Sequence, residues 1–410
     1  MYVKEFLSMT KFRSGYLLTT LANRTYLLPY GQRIATFHRG LQLNETGVLL
    51  WNALQDGISE EQLPAFLASH YDADETDLPM LTDDVTQFMQ QLRALGIVDP
   101  PMPDLCSVCE APRTFRIGTL LVELRLSDAL IADEFYAFAE HDMPSQPQEA
   151  DLTVSLRYGQ PSYHPVGQLL INNAELTILD AEDYYYLSFP ASEDLIACII
   201  DKDAKYACFY AKAETPTLCE SLFHGIRFSY LLCAQTHGLY AIHSASICYE
   251  SRAWLFSASS GTGKSTHAGL WNQCFQTPFL NGDLNLLGMQ NHTPVVYGLP
   301  WCGTSGIYTP DTYPLGGIVF LQRALTDAIS HIPADQQQLL LSQRLISPTW
   351  TADLLQNCLD FCAQIQAHSH CFILQCTAQP SAAHVCRSTI DRLTDTDTPY
   401  GAITERKPHK

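Results

Sequence analysis

Positive charge is scarce in this chain. Lys and Arg together number 24 against 43 Asp and Glu, giving a formal net charge of −19 and a pI near 5.0. Residues 213–406 contain one lysine, Lys264. Nucleic-acid binding depends on clustered Lys and Arg, so this deficit argues against nucleic acid as a partner. It also requires any anion site to gather its cations locally. No apolar run is long enough to span a bilayer, and Met1–Phe6 lacks the apolar core of a signal peptide. The expected location is the cytoplasm, with no membrane partner. No internal repeat or low-complexity tract is present. What remains is a chain of 410 residues, 46% hydrophobic and 16% charged, which fits a globular protein of two or three domains. Its fourteen cysteines are scattered, and read as reduced thiols rather than a disulfide framework. The tight pair Cys106-x-x-Cys109 lies in a stretch with Pro100, Pro101, Pro103 and Pro112, and is either an inert linker pair or half of a zinc site. The second half would come from Cys358 and Cys362 or Cys371 and Cys376.

Lys264 lies in the run Phe256-Ser257-Ala258-Ser259-Ser260-Gly261-Thr262-Gly263-Lys264-Ser265-Thr266-His267. The apolar Ala253–Phe256 predicts a strand before it and Ser265–Phe275 a helix after it. A glycine-rich loop in that setting turns backbone N–H groups and a helix N-terminus toward an anion, with the lysine on the outer phosphates. Ser260, Gly261, Thr262, Gly263, Lys264, Ser265 and Thr266 are the expected nucleotide-binding residues, and Ser265 an expected Mg²⁺ ligand. The pattern departs at its first glycine, where Ala258 stands; a positive φ there would strain alanine by about 1 kcal/mol.

The N-terminal part reads as a compact unit. Gly15–Ala22, Arg24–Tyr30 and Gln32–Arg39 predict a three-stranded meander. Asn44 is a good N-cap for a first helix, Ser59-x-x-Gln62 is a capping box for a second in which Pro64 fits poorly, and a third helix is expected from a Thr82 cap to Gly96. Tyr26-Leu27-Leu28-Pro29, Leu43-Asn44-Glu45-Thr46-Gly47, the acidic turn Asp56–Glu61 and Leu95-Gly96-Ile97-Val98 resemble the PqqD-like family, whose small winged-helix domains hold the leader peptides of ribosomally made, modified peptides. The resemblance implies a peptide added as a strand beside the third strand. Ile34, Ala35, Thr36 and Phe37 would form the edge, with Val85, Phe88, Met89 and Leu92 as the floor. A stripe at that helical spacing is also how a core face reads.

Residues 115–213 alternate apolar strands such as Leu120–Leu124 and Leu195–Ile200 with polar turns, and carry no catalytic constellation. A helix over Leu222–Gln235 then leads to the strand Tyr240–Ile247. Further on, Gln336–Leu345 and Thr351–Ala367 read as helices and Cys371–Leu374 as a strand. His243-Ser244-Ala245, the loop itself, Asn281-Gly282-Asp283, Gly298–Ile307 and Pro314–Leu321 resemble the HPr kinase/phosphorylase-like family, which shares its phosphate-loop fold with ATP-dependent phosphoenolpyruvate carboxykinases. The resemblance implies phosphoryl transfer to a serine hydroxyl, with a pair of adjacent aspartates after the second strand. Here Gly282 takes the first place of that pair and Asp283 the second. Asp283 is therefore the candidate Mg²⁺ ligand and proton acceptor, His243 the candidate base or orienting group, and Lys264 the phosphate-bound lysine. Trp301–Ile307 has the Gly and Ser content of a mobile loop, and Arg323 could meet a phosphate.

The expected fold class is α+β. A winged-helix-like PqqD-type domain (1–100) and a Pro-rich linker (101–114) precede a β-rich segment (115–221) packed on an α/β P-loop core of the HPr kinase type (222–395); a loose tail (396–410) follows. The expected function is ATP- and Mg²⁺-dependent phosphorylation of a Ser or Thr on a precursor peptide captured by the first domain. The alternatives are a nucleotide-gated peptide-binding module that has lost transfer, and a kinase of a small molecule. A homo-oligomer is compatible with the sequence, which does not require one.

Overall fold

The computed structural model describes residues 15–31, 34, 40–74, 76–98, 111–139, 148–161, 167–181 and 183–394. It divides into two compact units, the first within residues 1–103 and the second comprising nearly all of the remainder. Among the described residues no helix is long and apolar enough to cross a membrane.

The first unit is a sheet of β1 (Tyr16–Leu21), β2 (Arg24–Pro29) and β3 (Leu41–Leu43), followed by α1 (Glu45–Gln55), α2 (Leu63–Tyr71) and α3 (Leu78–Ala94). Asn44 caps α1 as expected, its side chain accepting from the Gly47 N–H at 2.8 Å. The Ser59–Gln62 capping box closes a single 3₁₀ turn, Glu60–Gln62, rather than α2 itself. Pro64 then falls in the first turn of α2, where its missing N–H has no carbonyl to satisfy. Of the expected third strand Gln32–Arg39 only Ile34 lies within the described residues; among those residues the strand that pairs with β2 is β3, with Leu27 opposite Leu41 and Thr25 opposite Leu43. Burial decides the register, since Leu41 and Leu43 pack on the core cluster while Gln42 between them is exposed. Helix α3 begins one turn earlier than expected. Pro79 sits in its first turn, and Thr82, expected as the cap, is interior and donates to the Leu78 carbonyl at 2.8 Å.

The second unit contains two sheets. The first has the order β4-β5-β6-β11-β10-β9-β8-β7. Its strands are β4 (Arg113–Ile117), β5 (Leu120–Arg125), β6 (Leu152–Tyr158), β7 (Gln168–Asn172), β8 (Thr177–Asp180), β9 (Tyr184–Ser188), β10 (Leu195–Asp201) and β11 (Tyr206–Ala211). One face packs on α4 (Leu218–Thr236) around Phe135, Phe209, Leu222 and Tyr230. The second sheet is made of β12 (Tyr240–Tyr249), β13 (Arg252–Ser257), β14 (Phe279–Asn281), β15 (Leu284–Gln290), β16 (Thr293–Tyr297), β17 (Thr312–Arg323), β18 (Ala328–His331) and β19 (His370–Cys376). A tight turn with positive φ at Glu250 and Ser251 joins β12 to β13. Strands β13, β17 and β19 are mutually parallel and side by side.

The helices of this part are α5 (Lys264–Phe275), α6 (Ala334–Ser342), α7 (Ala352–His368) and α8 (Pro380–Thr394). α5 and α8 cover one face of the second sheet through Trp271, Ala383, Cys386 and Ile390; α6 and α7 cover another through Leu341, Phe361 and Ile365. Among the described residues all twelve cysteines are free and no cluster of three or more His, Cys, Asp or Glu is placed to hold a metal. Cys106 and Cys109 lie outside the described residues.

Candidate active site

Strands β13, β17 and β19 run parallel, and in such sheets the crevice beyond the carboxyl ends is where ligands are held. The loop 258–263 leaves the end of β13 at Ser257. Gly261 and Gly263 take φ of +73° and +116°, which a side chain would resist, and an added Cβ at Gly261 would meet nothing within 4 Å. α5 starts at Lys264 with Gly263 as its N-cap and no side-chain cap, so its first N–H groups are left for another acceptor. Ala258 does not take positive φ; it is buried beside Phe256 and Trp271. The strain considered for alanine at that place is therefore absent. Arg323, at the end of β17, donates to the carbonyls of Gly261 and Thr262, and so holds the shape of the loop.

Lys264 is 8% exposed and forms no ion pair among the described residues. Burial pushes its ammonium below the ordinary lysine range; nearby Asp283 opposes that change and nearby Arg344 adds to it. Asp283 follows β14, and its Oδ1 accepts from His243 Nε2 at 2.9 Å. That bond, with the charges of His243, Lys264 and Arg227, holds its carboxyl below the usual range against the effect of burial. The structure thus brings Lys264, Asp283 and His243 together. Ser260, Ser265 and Thr266 are exposed along the loop and first turn of α5.

A buried polar lattice fixes the acid. Asn281 Oδ1 accepts from the N–H groups of Asp283 and Leu284 at 3.0 and 3.1 Å, and its amide donates to the Leu299 carbonyl at 2.9 Å. Asn285 donates to the Ser244 carbonyl at 2.7 Å and accepts from Ser246 Oγ at 2.6 Å. Buried amides this fully bonded specify one arrangement. Between Asn281 and Asp283, Gly282 has no room for a side chain: its Cβ would lie 2.0 Å from Ser305 Oγ and 2.4 Å from Ser305 Cβ. The expected mobile loop is in fact pinned. Trp301 is buried and donates to the Phe223 carbonyl at 2.8 Å, and Ser305 Oγ donates to the Cys302 carbonyl at 2.6 Å. Gly303, at φ +61°, keeps the Asp283 carboxylate uncrowded, since a Cβ there would approach Oδ2 to 3.1 Å.

Two arginines that sequence reasoning passed over belong to this site. Arg227, on α4, acts on Asp283 through its charge, and Arg344, after α6, reaches Ser259 Oγ at 3.2 Å. No motif flags either residue; each enters through tertiary packing. Together with Lys264 and Arg323 they supply the local positive charge that a chain of net −19 otherwise lacks.

His267 plays a different part. It is 2% exposed, packs edge-on to Phe256, and accepts from Trp271 Nε1 at 3.2 Å, while burial pushes its imidazole down to about 4. The unfolded chain therefore binds a proton between about pH 6.5 and 4 that the folded protein does not. Stability is expected to fall as pH drops through that window, by on the order of 3 kcal/mol. His267→Gln, which keeps an acceptor for Trp271, is expected to flatten the decline in a series of thermal melts; an unchanged slope would assign it to other groups.

In the first unit, Ala35, Thr36 and Phe37 lie outside the described residues, and Ile34 is helical and 53% exposed rather than part of an edge strand. Val85, Phe88, Met89 and Leu92 are all buried in the core of that unit, which is what their spacing on α3 serves in this structure. Val85 also lines a groove with Glu60, Glu61, Pro64, Leu78 and Thr82.

No curated protein matches the chain. Among solved structures, the HPr(Ser) kinase/phosphatase from Coxiella burnetii matches with a TM-score of 0.23 and 8% identity, over 38% of this chain and 98% of that one, a likeness too small to carry an argument. Residues 30–98 match the family model of Coenzyme PQQ synthesis protein D (PqqD), and the chain is thus a mixed α+β protein with PqqD similarity over that span.

Proposed function

We propose that this chain transfers a phosphoryl group from ATP to a Ser or Thr hydroxyl of a ribosomally made precursor peptide held by its first unit. The observation that carries the reading is Lys264, buried with no ion pair among the described residues beside two positive-φ glycines at an uncapped helix start, with the His243–Asp283 pair near it. The buried lysine and open loop fit a polyphosphate. Ser265 and Asp283 offer the one or two protein oxygens that Mg²⁺ takes when phosphates complete its shell. Bound there, Mg²⁺ would offset phosphate charge.

In this reading the loop N–H groups, from Ser260 to Thr266, hold the phosphates in line and Lys264 bears on the outer ones. Asp283 takes the proton of the attacking hydroxyl as the new P–O bond forms and the bond to the departing diphosphate breaks. His243 keeps that carboxylate ionised and oriented, and Asn281 fixes its backbone. Positioning and charge supply most of such a barrier reduction, so a single carboxylate suffices. The PqqD similarity supports the peptide as acceptor. Among the described residues the outer edge of β3 carries no further strand, and it is where a peptide strand would add. A leader held there raises the local concentration of its acceptor segment to about the millimolar range.

Gly282 favours a second reading, a nucleotide-gated peptide carrier without transfer, because the resemblance would place an acid there. Transfer of phosphate to the peptide separates these readings, because a carrier gives none, and a peptide lacking its leader tests the part of the first unit. The kinase account expects KM for that peptide to rise at least about tenfold with kcat nearly kept. Equal KM values with and without the leader would instead make the first unit structural.

A further inference from the structure

Arg344 is placed as no structural residue needs to be. Its guanidinium reaches the loop at Ser259 Oγ, 3.2 Å away, and its backbone carbonyl accepts from the His243 N–H at 3.0 Å. It forms no ion pair among the described residues, and its Nε is buried with no hydrogen-bond partner. The nearby charge that it acts on is another cation, Lys264. Burying a guanidinium donor unmet beside a like charge disfavours the unliganded fold. Apolar residues of similar length would serve packing there better. Two cations that form no ion pair among the described residues, at one glycine-rich loop, are what a dense anion would draw on, and a guanidinium meets phosphate oxygens through two donors at once.

We infer that Arg344 is a phosphate ligand of the loop, binding the polyphosphate together with Lys264 and tying an occupied loop to the strand that carries His243. This rests on the phosphoryl-transfer reading above and adds a residue to it. The link to His243 is a single hydrogen bond: the carbonyl that accepts from its N–H belongs to the residue whose side chain would meet the phosphate. Occupancy would therefore be felt at the candidate base without movement of a whole domain.

The test measures calorimetric binding of MgATP and of inorganic tripolyphosphate to the full chain and to Lys264→Ala, Arg344→Met and Arg344→Lys, alongside melting of each unliganded protein. Arg344→Met is expected to weaken both probes at least tenfold while its unliganded melting temperature stays level or rises. Arg344→Lys should recover part of the loss. A merely structural arginine would give the opposite pattern, a lower melting temperature with affinity kept. If the wild type binds and Lys264→Ala does not, while both Arg344 variants bind within twofold of wild type, the role of Arg344 is overturned and the loop reading stands. If the wild type binds neither probe, both fall together.

Discussion

Replacing Lys264 with alanine is expected to lower phosphoryl transfer by at least about a hundredfold, the scale on which a preorganised donor to developing charge contributes. The unliganded protein should remain folded. Lys264 is buried, lacks an acidic partner among the described residues and lies near the charge of Arg344, so removing its ammonium relieves a desolvation penalty rather than breaking an ion pair. The combination is diagnostic: a residue kept for packing would lose stability and activity together. Melting of the two proteins without nucleotide, followed by melting with saturating MgATP, separates the two cases. Nucleotide should raise the wild-type melting temperature and leave that of Lys264→Ala unchanged. Equal shifts in both proteins would show that the loop does not use its lysine.

The second large effect concerns Gly282. If the missing carboxylate were simply a lost catalytic group, Gly282→Asp would raise the rate. The geometry predicts a loss. An aspartate Cβ would sit 2.0 Å from Ser305 Oγ and 2.4 Å from its Cβ, so rotating the hydroxyl away is not enough and the turn Gly303–Ser305 must move. Overpacking of that kind costs about 1–3 kcal/mol. It would also lift Gly303 from the Asp283 carboxylate. Ser305→Gly removes both colliding atoms, and the double variant Gly282→Asp/Ser305→Gly is expected to recover most of the melting temperature lost by Gly282→Asp alone. A double-mutant cycle on stability and rate therefore reports strong coupling between the two positions. Additive effects would mean that the turn yields freely and that Gly282 is no seat for it.

How far this was legible in the sequence depends on the range of the interaction. Local signals read well: Asn44 caps α1, and the strand, glycine loop and helix around Lys264 stand within a residue or two of expectation. Boundaries set by tertiary burial read less well. Gln32–Arg39 has strand-like composition but, apart from Ile34, lies outside the described residues, and the described strand beside β2 is Leu41–Leu43, whose leucines reach the core. Thr82 looks like a cap but bonds back to Leu78, since Pro79 starts α3 a turn earlier. Helix α8 went unread although Pro380 at its start and Ala383, Cys386 and Ile390 at helical spacing mark it. In the candidate site, His243, Lys264 and Asp283 follow from motif and resemblance, and the structure brings them together. Arg227, Arg344 and the Gly282–Ser305 fit have no local signature, because each is a contact between segments distant in sequence.

Intact-mass measurement of a precursor peptide encoded near this protein's gene, after incubation with the purified protein, ATP and Mg²⁺, tests the central claim most directly. The account predicts a gain of one or more phosphates that disappears with Lys264→Ala and with Asp283→Asn. Binding of both peptide and nucleotide with no change of mass would contradict it, and would leave a nucleotide-gated carrier in its place.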